Sequence, residues 1–178
     1  MYPTVKIPVD RLFHPDVEAI EIDTPLRLQG ELAERYPDGV RVTGTVTHIS
    51  HGVHMHGRVS GTERETCVRC LEDFARDANI AFDETFSEDV NPEEELFSDV
   101  APLVDRNIDL SALVAQLLEV DEPLAAVCSA DCQGICPMCG GNRNQVACAC
   151  HEAVIDERLA GLAALRDELQ RDEPMRRQ

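Results

Sequence analysis

The sequence predicts an α+β fold: a largely antiparallel sheet in the N-terminal half, and helices with a cysteine-rich knuckle in the C-terminal half. Three observations carry this. Residues 17–86 alternate apolar and polar positions in several runs. Residues 108–123 carry one apolar stripe at helical spacing. Six of the eight cysteines fall between Cys128 and Cys150.

The strands come first. "VEAIEIDTPLRLQGEL" alternates in part, through Ile20, Ile22, Leu26 and Leu28. "GVRVTGTVTHIS" puts Val40, Val42, Gly44 and Val46 on one face, and "GVHMHGRVSG" continues through Val53, Met55 and Val59. "HISHG" between these runs reads as a hairpin turn. "NIAFDETF" alternates through Ile80, Phe82 and Phe86. Such period-two runs describe an antiparallel sheet with one wet face. "TERETCVRCLEDF" interrupts them, with Cys67 and Cys70 at a turn between strands.

Asp83 to Asp99 holds eight acidic residues and no basic one. Pro92 and the charge predict a solvated loop. Glu93, Glu94 and Glu95 beside Leu96 and Phe97 would also suit docking of a basic protein. In "IDLSALVAQLLEVDEP" Asp109 can cap a helix whose stripe is Leu110, Leu113, Val114, Leu117 and Leu118, with Pro123 limiting it. A last helix is expected from about Asp156, through Leu159, Leu162, Leu165 and Leu169. These elements divide the chain into a strand-rich half, 1–100, ending in the acidic segment, and a helical half, 101–178, with the cysteine cluster. Together they are expected to form one compact unit.

Composition narrows the chemistry. The 178 residues are 43% hydrophobic, but there is no Trp and little Phe or Tyr. The core must be built of Val, Leu, Ile and Ala. The N-terminus has no apolar signal region, and no run approaches the ~18 apolar residues of a membrane helix. A cytoplasmic location follows as an expectation. The net charge is −18, which disfavours general binding of phosphate backbones and favours a basic protein partner.

In a reducing compartment clustered cysteines read first as metal ligands. The spacings are Cx2C at Cys67 and Cys70, Cx3C at Cys128 and Cys132, Cx2C at Cys136 and Cys139, and CxC at Cys148 and Cys150. Eight thiols make two tetrahedral four-cysteine zinc sites. One grouping closes Cys136, Cys139, Cys148 and Cys150 locally and leaves Cys67, Cys70, Cys128 and Cys132 to join the two halves. The other pairs Cys67 and Cys70 with Cys136 and Cys139, as in a zinc ribbon. The first has the shorter loop closure, and the sequence leaves both open. Two zinc ions on eight thiolates would bring the charge to −22. Metal staples would supply stability to a core short of aromatics.

Rival readings are a metal-free thiol cluster, a redox dithiol and a catalytic zinc. The redox reading lacks a thioredoxin-like pattern, and no HExxH-like motif supports the catalytic one. His48, His51, His54 and His56 crowd "THISHGVHMHG", but no carboxylate or thiol stands at ligand spacing in sequence. They read as the exposed face of a hairpin. No phosphate loop, dinucleotide fingerprint or nucleophile elbow is present.

"GVHMHGRVSGTERETCVRCLEDF", "NIDLSALVAQLLEVDEPLAAVCSADCQGICPMCGGNRN" and "CAC" resemble the bacterial YceD family over about residues 40–160. The matching positions are Cys67, Arg69, Cys70, Leu71 and Glu72; Ile108, Asp109 and Leu110; and the six later cysteines with Gly134, Pro137, Gly140, Asn142 and Asn144. Arg143 departs from the pattern, which commonly has Leu there. The resemblance implies a non-enzymatic factor supporting 23S ribosomal RNA accumulation and large-subunit assembly. Its partners would be large-subunit components, chiefly basic ribosomal proteins, with rRNA contact open. Some members keep the first CxxC but lack most of the later cysteines, which implies that the knuckle of Cys136 to Cys150 is an optional staple rather than a chemical centre. The alternative is a zinc-dependent nucleic-acid-binding regulator.

Overall fold

The computed structural model describes residues 4–90, 100–150 and 162. Among them the protein is mostly sheet, with few helices and two groups of cysteines. The main sheet has five strands in the order β2-β3-β4-β5-β6: Ala19–Leu26, Val40–Ile49, Gly52–Thr66, Asp73–Ser87 and Val100–Pro102. The first four pair antiparallel, and β6 joins β5 in parallel. A separate short ladder pairs β1 (Lys6–Pro8) with β7 (Asn107–Asp109) antiparallel. The short helix α1 (Glu31–Arg35) joins β2 to β3, and α2 (Leu110–Val120) follows β7 directly.

The alternation in the sequence sets the two faces of the sheet. Val42, Val46, Val53, Met55 and Val59 are fully buried on one face, with Phe82 and Phe86 beside them. Burying each such side chain contributes about 1.5–3 kcal/mol before entropy is counted. The buried stripe of α2 (Leu110, Leu113, Val114 and Leu118) belongs to the same core cluster. Leu117, the fifth stripe position, is partly buried against that cluster. The Asp109 side chain accepts a hydrogen bond from the backbone N–H of Ala112 at 3.0 Å and caps the helix.

Three expectations are revised. First, "TERETCVRCLEDF" interrupts the strands only over the turn Cys67–Glu72, which does carry Cys67 and Cys70 between strands. β4 runs on to Thr66 and β5 begins at Asp73, with Thr66 opposite Asp73. Beyond Gly61, which faces Val40, β4 has no pairing with β3 and continues as a two-stranded arm with β5. Polar pairs hold that arm, including Thr66 Oγ1 to Asp73 Oδ1 at 2.8 Å. Polar cross-strand pairs leave no apolar alternation to read. Second, the acidic loop starts later than expected, because Asp83–Ser87 completes β5 with Phe86 turned to the core. Residues 91–99 lie outside the described residues.

Third, the described part of the helical half, residues 101–150, holds one helix, the end of β6, the short strand β7 and long loops. The expected last helix lies outside the described residues, except Leu162, which is helical and exposed. The two stretches of chain also interlock. β1 pairs with β7, and the N–H of Leu103 donates to the carbonyl of Ser87 at 2.8 Å.

One buried charge lies on the core face of the arm. Glu63 continues the phase of Val53, Met55 and Val59 and is 0% exposed. Arg35 Nε donates to one carboxylate oxygen at 2.7 Å, and Arg76 Nε to the other at 3.0 Å. Arg76 also reaches Asp121 at 3.0 Å, and Arg35 reaches Glu122 at 2.8 Å. Burial alone would raise the Glu63 pKa, but the two guanidiniums outweigh it and hold the pKa below its ordinary value. The network fixes the arm to α1 and to the end of α2. That orientation places the arm tip, with Cys67 and Cys70, against the chain that follows α2.

Candidate metal centre

The tip is a tight turn, Cys67 to Glu72. The N–H of Cys67 donates to the carbonyl of Glu72 at 2.9 Å, and the N–H of Leu71 donates to the carbonyl of Cys67 at 2.9 Å. The segment after α2 is laid against it by three backbone and side-chain ties. Val68 N–H donates to Ala126 O at 2.9 Å, Ile135 N–H to Arg69 O at 3.0 Å, and Arg69 Nη1 to the carbonyl of Cys132 at 3.3 Å. Gly134 sits beneath this contact with φ 70°, where a Cβ would lie 3.0 Å from the Arg69 carbonyl oxygen. A side chain there would push the two loops apart.

These ties bring Cys67, Cys70, Cys128 and Cys132 together, with their sulfurs all within 4.8 Å of one another. Cys67 and Cys132 sulfurs are 3.9 Å apart, and those of Cys70 and Cys128 are 3.6 Å apart. Cys67, Cys70 and Cys132 are buried with Phe74 and Val127 against them. Asn144 Nδ2 donates to the Cys132 sulfur at 3.3 Å.

The second knuckle repeats the first. Cys136 N–H donates to Gly141 O, and Gly140 N–H donates to Cys136 O, both at 2.8 Å. Its sulfurs, from Cys136, Cys139, Cys148 and Cys150, also lie within 4.8 Å of one another. Cys148 stands 3.4 Å from Cys136 and 3.7 Å from Cys139. Cys139 and Cys150 are exposed. The turn places the residue after the second cysteine at positive φ in both knuckles: Gly140 at 71° and Leu71 at 61°. Glycine takes this conformation freely, while leucine there costs on the order of 1 kcal/mol.

The donor sets fit a four-coordinate thiophilic ion. Sulfurs about 2.3 Å from a central zinc ion stand about 3.8 Å from each other at tetrahedral geometry. The measured separations bracket that edge and are far longer than a disulfide of about 2.05 Å. The thiols' proton affinities point the same way. The backbone N–H at Cys128 leads in drawing Cys67 down to about 6, while burial of its sulfur pushes Cys128 up to about 12. The backbone N–H of Cys139 leads in drawing Cys136 down to about 6, while hydrogen bonding with Cys148 pushes Cys150 up to about 12. Four crowded thiols cannot all ionise against one another, and a divalent cation removes that conflict.

Of the two groupings open in the sequence, the structure places the thiols in the one with the shorter loop closure. The histidines do not converge. His54 Nε2 lies 2.7 Å from Asp83 Oδ1, and its ring stacks on His56 at 6.0 Å between centroids. His48 meets the edge of the Phe13 ring instead. Asp83 is the carboxylate that sequence spacing did not reveal, because it lies opposite His56 on the neighbouring strand and reaches His54 diagonally across β4 and β5. Glu63 was missed as well, although a charge in phase with buried valines is its local signature. Among the described residues, no group of three or more metal-binding side chains includes a histidine. No helix among them is long and apolar enough to cross a membrane.

Comparison with known proteins gives the geometry a context. An uncharacterized protein of Mycobacterium tuberculosis is 31% identical over 97 residues, 53% of this chain and 47% of that protein. The large ribosomal RNA subunit accumulation protein YCED homolog 1, chloroplastic, of Arabidopsis thaliana is 31% identical over 71 residues, 40% of this chain and 22% of that protein. The protein of the same name from Zea mays is 36% identical over 50 residues, 28% of this chain and 17% of that protein. The chain thus spans less than half the length of these relatives. No solved structure matches it. The family model described as large ribosomal RNA subunit accumulation protein YceD matches residues 55–166, which run from β4 through both cysteine groups, and the chain belongs to that family.

Proposed function

We propose that this protein is a non-enzymatic, cytoplasmic factor that supports 23S rRNA accumulation and large ribosomal subunit assembly, held in shape by two structural zinc ions. Cys67, Cys70, Cys128 and Cys132 would bind one ion, and Cys136, Cys139, Cys148 and Cys150 the other. The observation that carries this is the convergence of eight unbonded thiols into two sets at tetrahedral spacing, in a member of the YceD family. All-cysteine sites are closed to substrate, so the ions would act as cross-links. The first would tie the arm tip to the chain after α2, and the second would close the outer knuckle. Basic large-subunit proteins are the partners that the charge of −18 supports.

The test has two parts. Protein purified without added metal should carry two zinc ions per chain by elemental analysis. Cells lacking the protein should show a reduced ratio of 23S to 16S rRNA and fewer large subunits on sucrose gradients. Wild type should restore both, and Cys67→Ser combined with Cys128→Ser should not. A normal rRNA ratio in the deleted cells would overturn the ribosomal reading, and protein without bound metal would overturn the zinc reading.

A further inference from the structure

The two knuckles are built alike, yet the residue at positive φ differs. In the second it is Gly140, and a Cβ there would meet nothing within 4 Å, so that position points into open space. In the first it is Leu71, which holds its side chain 63% exposed. A residue that is strained in its backbone and apolar in water is doubly unfavourable in the isolated chain. Leu71 does not stand alone. Val68 on the same turn, and Ile135 and Val146 on the loops docked against it, are exposed too. Backbone ties from Val68 to Ala126 and from Ile135 to Arg69 hold these positions together. Glu72 beside Leu71 accepts from Asn142 Nδ2 and Gln145 Nε2, each at 3.3 Å, which brings Val146 to the same end.

From this we infer that Leu71, with Val68, Ile135 and Val146, is the anchor of a docking surface for a lysine- and arginine-rich protein segment that carries apolar side chains. The inference rests on the zinc and ribosomal readings above and names the surface on which the partner sits. Charge selects the occupant. Each four-thiolate site holding one divalent ion keeps two negative charges. At this end the exposed acids Glu72, Asp73 and Asp131 outnumber the exposed Arg69 and Arg143, while Asp121 and Glu122 are engaged by Arg76 and Arg35. The surface is therefore anionic around an apolar centre. It repels an RNA backbone and a second copy of itself. The chain's own residues 151–178 carry seven acids against five arginines, so they are no better matched. A cationic segment is steered in by the charge and held by the apolar group.

The test uses the full-length, zinc-loaded chain with a photo-crosslinking benzoylphenylalanine at Val68 or Val146, and at Thr43, exposed on the solvent face of β3, as control. The probe is RNA-free protein extracted from large ribosomal subunits, and cross-linked peptides are identified by mass spectrometry. Positions 68 and 146 should capture the same basic protein, at an apolar residue flanked by Lys or Arg, and position 43 should not. Leu71→Gly and Leu71→Asn both suit positive φ. They should keep two zinc ions and full thermal stability while lowering the yield at least about tenfold. Two zinc ions with no such cross-link, or a yield unchanged by both variants, overturns the docking surface and leaves the metal sites standing. Cross-linking to a second copy, to residues 151–178, or to rRNA when intact subunits are supplied also overturns it. Equal capture after chelation of both metals removes the electrostatic basis and overturns it as well.

Discussion

Replacing one ligand in each knuckle should have unequal consequences. Cys70 and Cys128 stand 58 positions apart in sequence, whereas Cys136 and Cys148 stand 12 apart. If the metal acts as a covalent-like cross-link, closing the longer loop contributes about 4 kcal/mol and the shorter about 3 kcal/mol, by chain entropy alone. Where that stabilisation is spent matters more than the difference in size. The first site joins the arm tip to the segment after α2, while the second closes the loop 136–150, which meets the arm tip and the first site through side-chain bonds of Asn142, Asn144 and Gln145 rather than through a ligand. Cys67→Ser should therefore speed amide exchange by roughly two to three powers of ten in residues 62–77 and 126–135. Cys148→Ser should do so in residues 136–150 and leave the arm protected. Native-state hydrogen exchange followed by mass spectrometry, on zinc-replete protein, reads both. Equal loss of arm protection in the two variants would refute the reasoning, because it would mean that the arm depends on the outer knuckle as much as on its own metal.

Glu63→Gln should destabilise the protein by about 2–3 kcal/mol in urea unfolding, since Arg35 keeps Glu122 and Arg76 keeps Asp121 as partial compensation. The folded Glu63 pKa is lowered, so its contribution is present above the unfolded value and is lost as pH falls through the folded one. The wild-type advantage should hold from neutral pH to about 5 and shrink below that; an advantage that grows on acidification would contradict the assignment. A chelator titration should empty the outer knuckle first, because Cys139 and Cys150 are exposed while Cys67, Cys70 and Cys132 are buried; simultaneous release of both metals would argue against this order. Asp109→Ala should cost about 1 kcal/mol by removing the cap on α2, with zinc content unchanged.

The sequence by itself determined the features whose cause is local. Alternation at Val42, Val46, Val53, Met55 and Val59 marked the buried face, because successive strand side chains must point to opposite sides. Asp109 and the leucine stripe marked α2, because capping and the 3.6-residue period act within a few residues of chain. The cysteine spacings marked two four-thiol sets, because a tight turn presents a CxxC pair to one point. What the tertiary structure decided depends on groups far apart in sequence. The arm continues β4 and β5 through polar pairs that carry no apolar period. Glu63 is held on the core face by Arg35, 28 residues before it, and Arg76, 13 after it. His54 meets Asp83 only because β4 and β5 lie side by side. The choice between two open groupings of thiols was made by the loop after α2 docking on the arm tip, through Val68, Arg69 and Ile135. Local rules fix which residues turn inward; only the folded chain fixes which distant residues they meet.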